Sequence, residues 1–199
     1  MIFKSACALF LVTAVGISGA LAQTTGHSHK ASPYAGLEAR AIKSLSGSDI
    51  EELLRGGGWG LALPAELNGM PGPAHLLELR NEIGLSASQV AQIETIHAEM
   101  KREAIEGGQR LITAEQAIED AFAGGNVEAQ HLLALIEEAS AARAHLRFVH
   151  LSRHLLMPPL LSAEQIERYG ELRGYTSDPC TNVPEGHDAD MWRRHNGCS

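Results

Sequence analysis

Three times along the chain the pattern Leu-Ser-x-x-(Gln/Asp)-(Ile/Val) recurs, at Leu45–Ile50, Leu85–Val90 and Leu161–Ile166. The second and third copies, Leu85-Ser86-Ala87-Ser88-Gln89-Val90 and Leu161-Ser162-Ala163-Glu164-Gln165-Ile166, are near duplicates. Each order of residues predicts a helix start. The serine oxygen accepts the backbone N–H three residues on, and the Gln or Asp at that position reaches back to the serine N–H. The leucine before the cap packs on the Val or Ile of the first turn. Such a cap contributes about 1 kcal/mol.

Between the second and third copies the helical period is sustained. Ile93, His97, Met100, Ala104, Gly107, Leu111, Ala114, Ile118 and Ala121 fall on one stripe, and Gly124-Gly125-Asn126 stops it. A second stretch over 127–157 carries Ile136, Ala139, Arg143, Leu146, His150, Arg153 and Met157, and Pro158-Pro159 ends it. The third motif starts a last helix over 163–173, with Gly174 as its stop. Shorter helices are expected over 34–45, 48–54, 61–67 and 74–83, the last capped by Gly84. Strand alternation is absent. The expectation is an all-α chain built on a long antiparallel helical hairpin with short flanking helices. Arg55-Gly56-Gly57-Gly58-Trp59-Gly60 lacks the Gly-Lys-(Ser/Thr) ending of a phosphate loop and reads as a turn.

The first 22 residues read as a cleaved export signal. Lys4 precedes a small apolar run, and Ala20-Leu21-Ala22 forms a cleavage site before Gln23. The run falls short of the ~20 residues that a spanning helix needs. A periplasmic location follows as an expectation. Residues 23–73 then form a leader with short helices, 74–175 the helical domain, and 176–199 a tail. Removing Lys4 from 16 basic residues leaves 15 against 24 acidic ones, a formal charge of −9. That balance argues against a nucleic-acid partner, whose phosphates demand a basic face. After cleavage Cys180 and Cys198 remain, and in an oxidising compartment an even pair reads first as a disulfide. His187, Asp188, Asp190 and His195 lie between them, so a metal-binding tail is the competing reading.

A hairpin of long helices flanked by Leu85-Ser86-x-x-Gln89 and Leu161-Ser162-x-x-Gln165 resembles the periplasmic LTxxQ proteins, which comprise the Spy/CpxP chaperones and related zinc-resistance and heavy-metal-sensor proteins. The resemblance covers roughly residues 74–175, with Ser in place of Thr in both motifs. It implies a four-helix, hook- or cradle-like fold, a homodimer, and no enzymatic activity. The function it implies is chaperone-like shielding of the exposed apolar segments of client proteins; the alternative is heavy-metal binding or sensing. The region before Pro73 and the Cys-bearing tail lie outside the pattern. Neither the client nor a signalling partner in the envelope is legible.

Pairing the two long stretches about a turn near Gly125 sets His97 opposite Arg153, within one turn of His150 and His154. His150 and His154 share a helical face. With Glu94 one turn from His97, four donors define a candidate site for Zn, Ni, Co or Cu. No cofactor is otherwise required. Against this stands the plainer reading that His97 and His150, on the buried stripe, are hydrogen-bonded core residues. His75, His131 and His145 read as surface histidines. Gly107-Gly108 inside a helix costs up to ~2 kcal/mol against two alanines; it marks either a close backbone approach or a bend. No nucleophile–base pair is visible. Ile96, Ile105, Ile112, Leu133, Val149 and Leu155 lie off the main stripes and need cover, from a second copy or from the N-terminal helices.

Overall fold

The serines start helices where the motifs place them. The computed structural model describes residues 32–175 and 180–198; the export-signal expectation and His27 and His29 lie outside them. Among the described residues the chain is helical and contains no strand. The order is a 3-10 turn at Leu37–Ala39, then α1 (Gly47–Leu54), α2 (Leu63–Glu66), α3 (Pro73–Glu78) and α4 (Arg80–Ile83). The two long helices α5 (Ala87–Ala123) and α6 (Ala129–His154) follow, then a 3-10 turn at Pro158–Leu160, α7 (Ala163–Leu172) and α8 (Ala189–His195). Ser46, Ser86 and Ser162 each cap a helix, and in every case the third residue of the box bonds back.

The two glutamines do more than cap. Each side-chain oxygen accepts its own serine N–H, at 2.9 Å for Gln89 and 3.0 Å for Gln165. Each amide nitrogen donates to the other's oxygen, at 2.8 and 3.2 Å. The second proton of Gln89 goes to the Leu160 carbonyl, and that of Gln165 to the Gly84 carbonyl. Both acceptors lie two residues before the opposite serine, so the copies meet about a local pseudo-two-fold. This junction joins the starts of α5 and α7. Gln89→Ala should therefore cost about 1–2 kcal/mol, more than a cap alone. Equal urea midpoints for Gln89→Ala and wild type would reject the shared role.

The core has two parts. One gathers Leu45, Leu53, Met100, Leu111, Leu146 and Val149, so α1 closes over the hairpin. The other gathers Leu76, Ile83, Ile93, Met157 and Tyr169 at the open end, with Leu85 and Leu161 of the motifs packed against it. Fully burying a Leu or Ile contributes about 1.5–3 kcal/mol. The tail is tied by the Cys180–Cys198 disulfide, with Cα atoms 5.5 Å apart. Those thiols are therefore not metal ligands, and Asp188 is occupied in capping α8.

Several boundaries differ from expectation. Residues 34–45 hold only the 3-10 turn and bends, the 61–67 helix shrinks to α2, and 74–83 divides at Leu79. The tail, for which no helix was expected, contains α8. The turn after α5 runs through Glu128, so α6 starts later than expected. That changes the register. A Cβ on Gly107 would meet Leu146, not Arg143, and Arg153 pairs with Glu103 at 2.7 Å, not with His97. The buried stripe of α6 is Ala139, Ala142, Leu146, Val149, His150 and His154, while Ile136 and Arg143 face outward. Val149 is in the first core with Ile112 packed against it, Ile96 packs against the second and Ile105 is half-buried, which leaves Leu133 and Leu155 exposed.

Candidate functional site

A cleft of about 470 Å³ opens where the segment from α1 to α3 crosses the hairpin. The glycine run forms one wall. Gly56 has φ +72°, and a Cβ there would lie 2.9 Å from the Lys101 carbonyl oxygen, so only glycine brings the strap this close to α5. Trp59 follows with φ +44°. Its conformation is held by two acids of α1. The indole N–H donates to Asp49 at 2.8 Å and the backbone N–H to Glu52 at 2.8 Å. The Arg143 guanidinium stacks over the ring at 4.5 Å. Hydrogen bonds from Ser46 and Trp59 hold the Asp49 carboxyl below its ordinary range.

Deeper in, the chain buries one carboxylate. Glu66 is 5% exposed. Its Oε1 receives the Tyr169 hydroxyl, the Tyr175 hydroxyl at 3.0 Å and His75 Nδ1 at 3.1 Å. Arg173 Nε lies 3.6 Å from the same oxygen. Burial alone would raise this carboxyl, but the donors from His75, Tyr169 and Tyr175 prevail and bring it from 4.5 to about 2. Burial, then the bond to Glu66, pushes the Tyr169 hydroxyl upward. A single ionised side chain thus joins α2 and α3 to α7 and the residues after it.

The last turns of α6 supply the histidines. His154 Nδ1 donates to the Met70 carbonyl at 2.8 Å. His150 is 3% exposed, and burial pushes its imidazole down. Its Nε2 is buried without a hydrogen-bond partner. Such an orphan costs about 1–3 kcal/mol. His97 lines the same cleft from α5, half-buried, and is likewise pushed down by burial. The four-donor metal set is not assembled. Glu94 is exposed, and no three His, Cys, Asp or Glu among the described residues group so as to hold a metal ion. The later start of α6 is the physical reason, since it moves Arg153 up to Glu103 and carries the neighbouring histidines along α5. His131 and His145 are exposed as expected, whereas His75 is engaged by Glu66.

Two residues of this region escaped the sequence reading. Glu66 had a visible signal, being the only carboxylate between Glu52 and Glu78 in an otherwise apolar and Gly/Pro-rich run. Trp59 had none beyond its place in the glycine run. Comparison with protein-family models, curated proteins and solved structures finds no match for this chain. No helix among the described residues is long and apolar enough to cross a membrane.

Proposed function

We propose that this chain is an exported, non-enzymatic binding protein of the bacterial cell envelope that shields apolar segments of unfolding proteins. One observation carries the reading: α6 has a second apolar face, directly opposite its buried one. Ala141, Ala144, Phe148, Leu151 and Leu155 repeat there at alternating intervals of three and four residues, close to a strict helical seam, and Leu133 lies on the same face two turns earlier. Phe148 is 66% exposed, Leu155 60% and Leu133 56%. A continuous apolar strip on an acidic, otherwise polar surface is suited to take up an extended or helical apolar segment. Export is supported by the N-terminal sequence, and the Cys180–Cys198 bridge fits an oxidising compartment.

The test is suppression of aggregation of an unrelated denatured protein, with EDTA present so that no metal contributes. The mature chain should suppress it, and Phe148→Ser with Leu155→Ser should lose most of that effect. Both side chains are exposed, so the double variant keeps its melting temperature. Absence of suppression at molar excess, with or without metal, would overturn the reading. Sedimentation of the same two proteins separates a competing occupant. A wild-type dimer that the double variant abolishes, without aggregation activity in either, would assign the strip to a second copy.

A further inference from the structure

We propose that the cleft beneath the glycine strap binds a small hydroxy acid. Arg55 and Lys101 hold its carboxylate at the mouth, the walls take its apolar body, and its hydroxyl reaches His150 at the floor. The proposal does not rest on the client-binding reading, because the exposed strip of α6 and the cleft use different faces of that helix.

The walls come first. A volume of about 470 Å³ lies inside the range of roughly 300–1,000 Å³ usual for organic ligands, and Trp59, Leu63, Pro73, Ala74 and Met100 make the lining largely apolar. At the mouth two cations stand together. Arg55, the C-cap of α1, and Lys101 of α5 both line the cleft and are both exposed. Gly56 brings them to one edge. It follows Arg55 directly, and a Cβ on it would meet the Lys101 carbonyl oxygen at 2.9 Å and Lys101 Cγ at 3.4 Å. Among the described residues neither cation is ion-paired. The two acids of the same walls are already committed: Glu52 accepts the Trp59 backbone N–H, and Glu66 holds its tyrosine and histidine donors with Arg173 nearby. In a chain of 24 acidic and 16 basic residues, two unpaired like charges on one edge favour an anion there.

The floor offers the remaining group. His150 lines the cleft and is 3% exposed, and its Nε2 is buried without a hydrogen-bond partner among the described residues. A hydroxyl satisfies that nitrogen in either tautomer, because it can both donate and accept. A second carboxylate would not serve, since Glu52 and Glu66 already place negative charge in the walls. The same two acids disfavour a phosphate, which carries more charge than the mouth can balance. Exposure orders the ligand: its charged end lies where the cations meet water, and its hydroxyl lies where the imidazole is buried.

Trp59 supplies the readout. The chain has two tryptophans, and Trp192→Phe leaves the cleft indole as the only reporter. The mature chain with that change is titrated, in EDTA, with ω-hydroxy acids of four to eight carbons and followed by Trp59 emission and calorimetry. One or more of them should bind saturably at one per chain. The matching fatty acid, which lacks the hydroxyl, should bind about three- to tenfold more weakly. The matching diol and amino alcohol should bind at least about tenfold more weakly. Arg55→Gln with Lys101→Gln should weaken the acid about tenfold and leave the diol unchanged. Both side chains are exposed, so the double variant keeps its melting temperature. His150→Phe should erase the advantage of the hydroxy acid over the fatty acid. Arg110→Gln, farther along α5, and Phe148→Ser with Leu155→Ser should change nothing. No saturation by any acid of the series below about 10 mM would overturn the proposal. So would a fatty acid or an amino alcohol that binds as tightly as the hydroxy acid, or binding that survives loss of both cations. Binding lost with Phe148 and Leu155 would place the acid on the strip and overturn the cleft.

Discussion

Glu66→Ala should destabilise the protein by about 3–5 kcal/mol, the loss expected when one member of a buried ionic cluster is removed. The expectation follows from where the carboxylate sits. It receives two tyrosine hydroxyls and a histidine, with Arg173 close by, and these come from segments about a hundred residues apart. Alanine would leave the hydroxyl of Tyr169, which is 1% exposed, with only the distant His75 Nδ1 at 3.5 Å. Linkage gives a second handle. A carboxyl brought from 4.5 to about 2 contributes roughly 3 kcal/mol at neutral pH. Because the folded value is the depressed one, that contribution is complete above about pH 5 and is lost as pH falls towards 2. Glu66→Gln keeps the shape and removes the charge. Its urea midpoint should lie well below wild type at pH 7, and the gap should narrow steadily by pH 3. A gap of constant size from pH 7 to pH 2.5 would show that the ionised form contributes nothing.

Gly108→Val should cost about 3 kcal/mol, at the upper end of overpacking losses. A Cβ there would stand 2.5 Å from the Leu53 carbonyl oxygen and 3.0 Å from its carbon, and backbone cannot swing aside as a side chain does. The helix propensity recovered, about 1 kcal/mol relative to glycine, is too small to offset that contact. The neighbouring glycine is the control. At Gly107 the nearest atom is Leu146 Cδ1 at 3.1 Å, the end of a flexible side chain, so Gly107→Ala should stay within about 1 kcal/mol of wild type. Faster amide exchange in α1 for the Gly108 variant, with α6 unchanged, would locate the damage. Similar losses at both positions would argue for a general tightness of the hairpin instead.

The contrast between those glycines shows which parts of the structure the residues announce. Capping is local, so Ser46, Ser86 and Ser162 could be read as helix starts from six residues each. The stripe of α5 held for the same reason: Ile93, Met100, Ala104, Leu111 and Ala114 are buried as the period requires. The close approach at Gly107-Gly108 was one of two open readings, and the α1 backbone at Leu53 decides it. What failed depended on the turn. Placing the start of α6 too early shifted every cross-helix pair, and the four-donor metal set was built on those pairs. The Glu66 cluster was illegible for a different reason. Its partners His75, Tyr169 and Tyr175 carry no mutual spacing, and only the folded chain brings them together.

The glutamine junction has a consequence for how this protein ages. Amide side chains hydrolyse slowly, and they are among the heat-labile groups of proteins. At an exposed position the product carboxylate would be harmless. At Gln89 or Gln165 it would replace a donor nitrogen by a second acceptor. One carboxylate oxygen would then face the other glutamine's oxygen, and the Leu160 or Gly84 carbonyl would lose its proton. A single deamidation would thus loosen the starts of two helices together, and the near-duplicate motifs share one point of chemical wear.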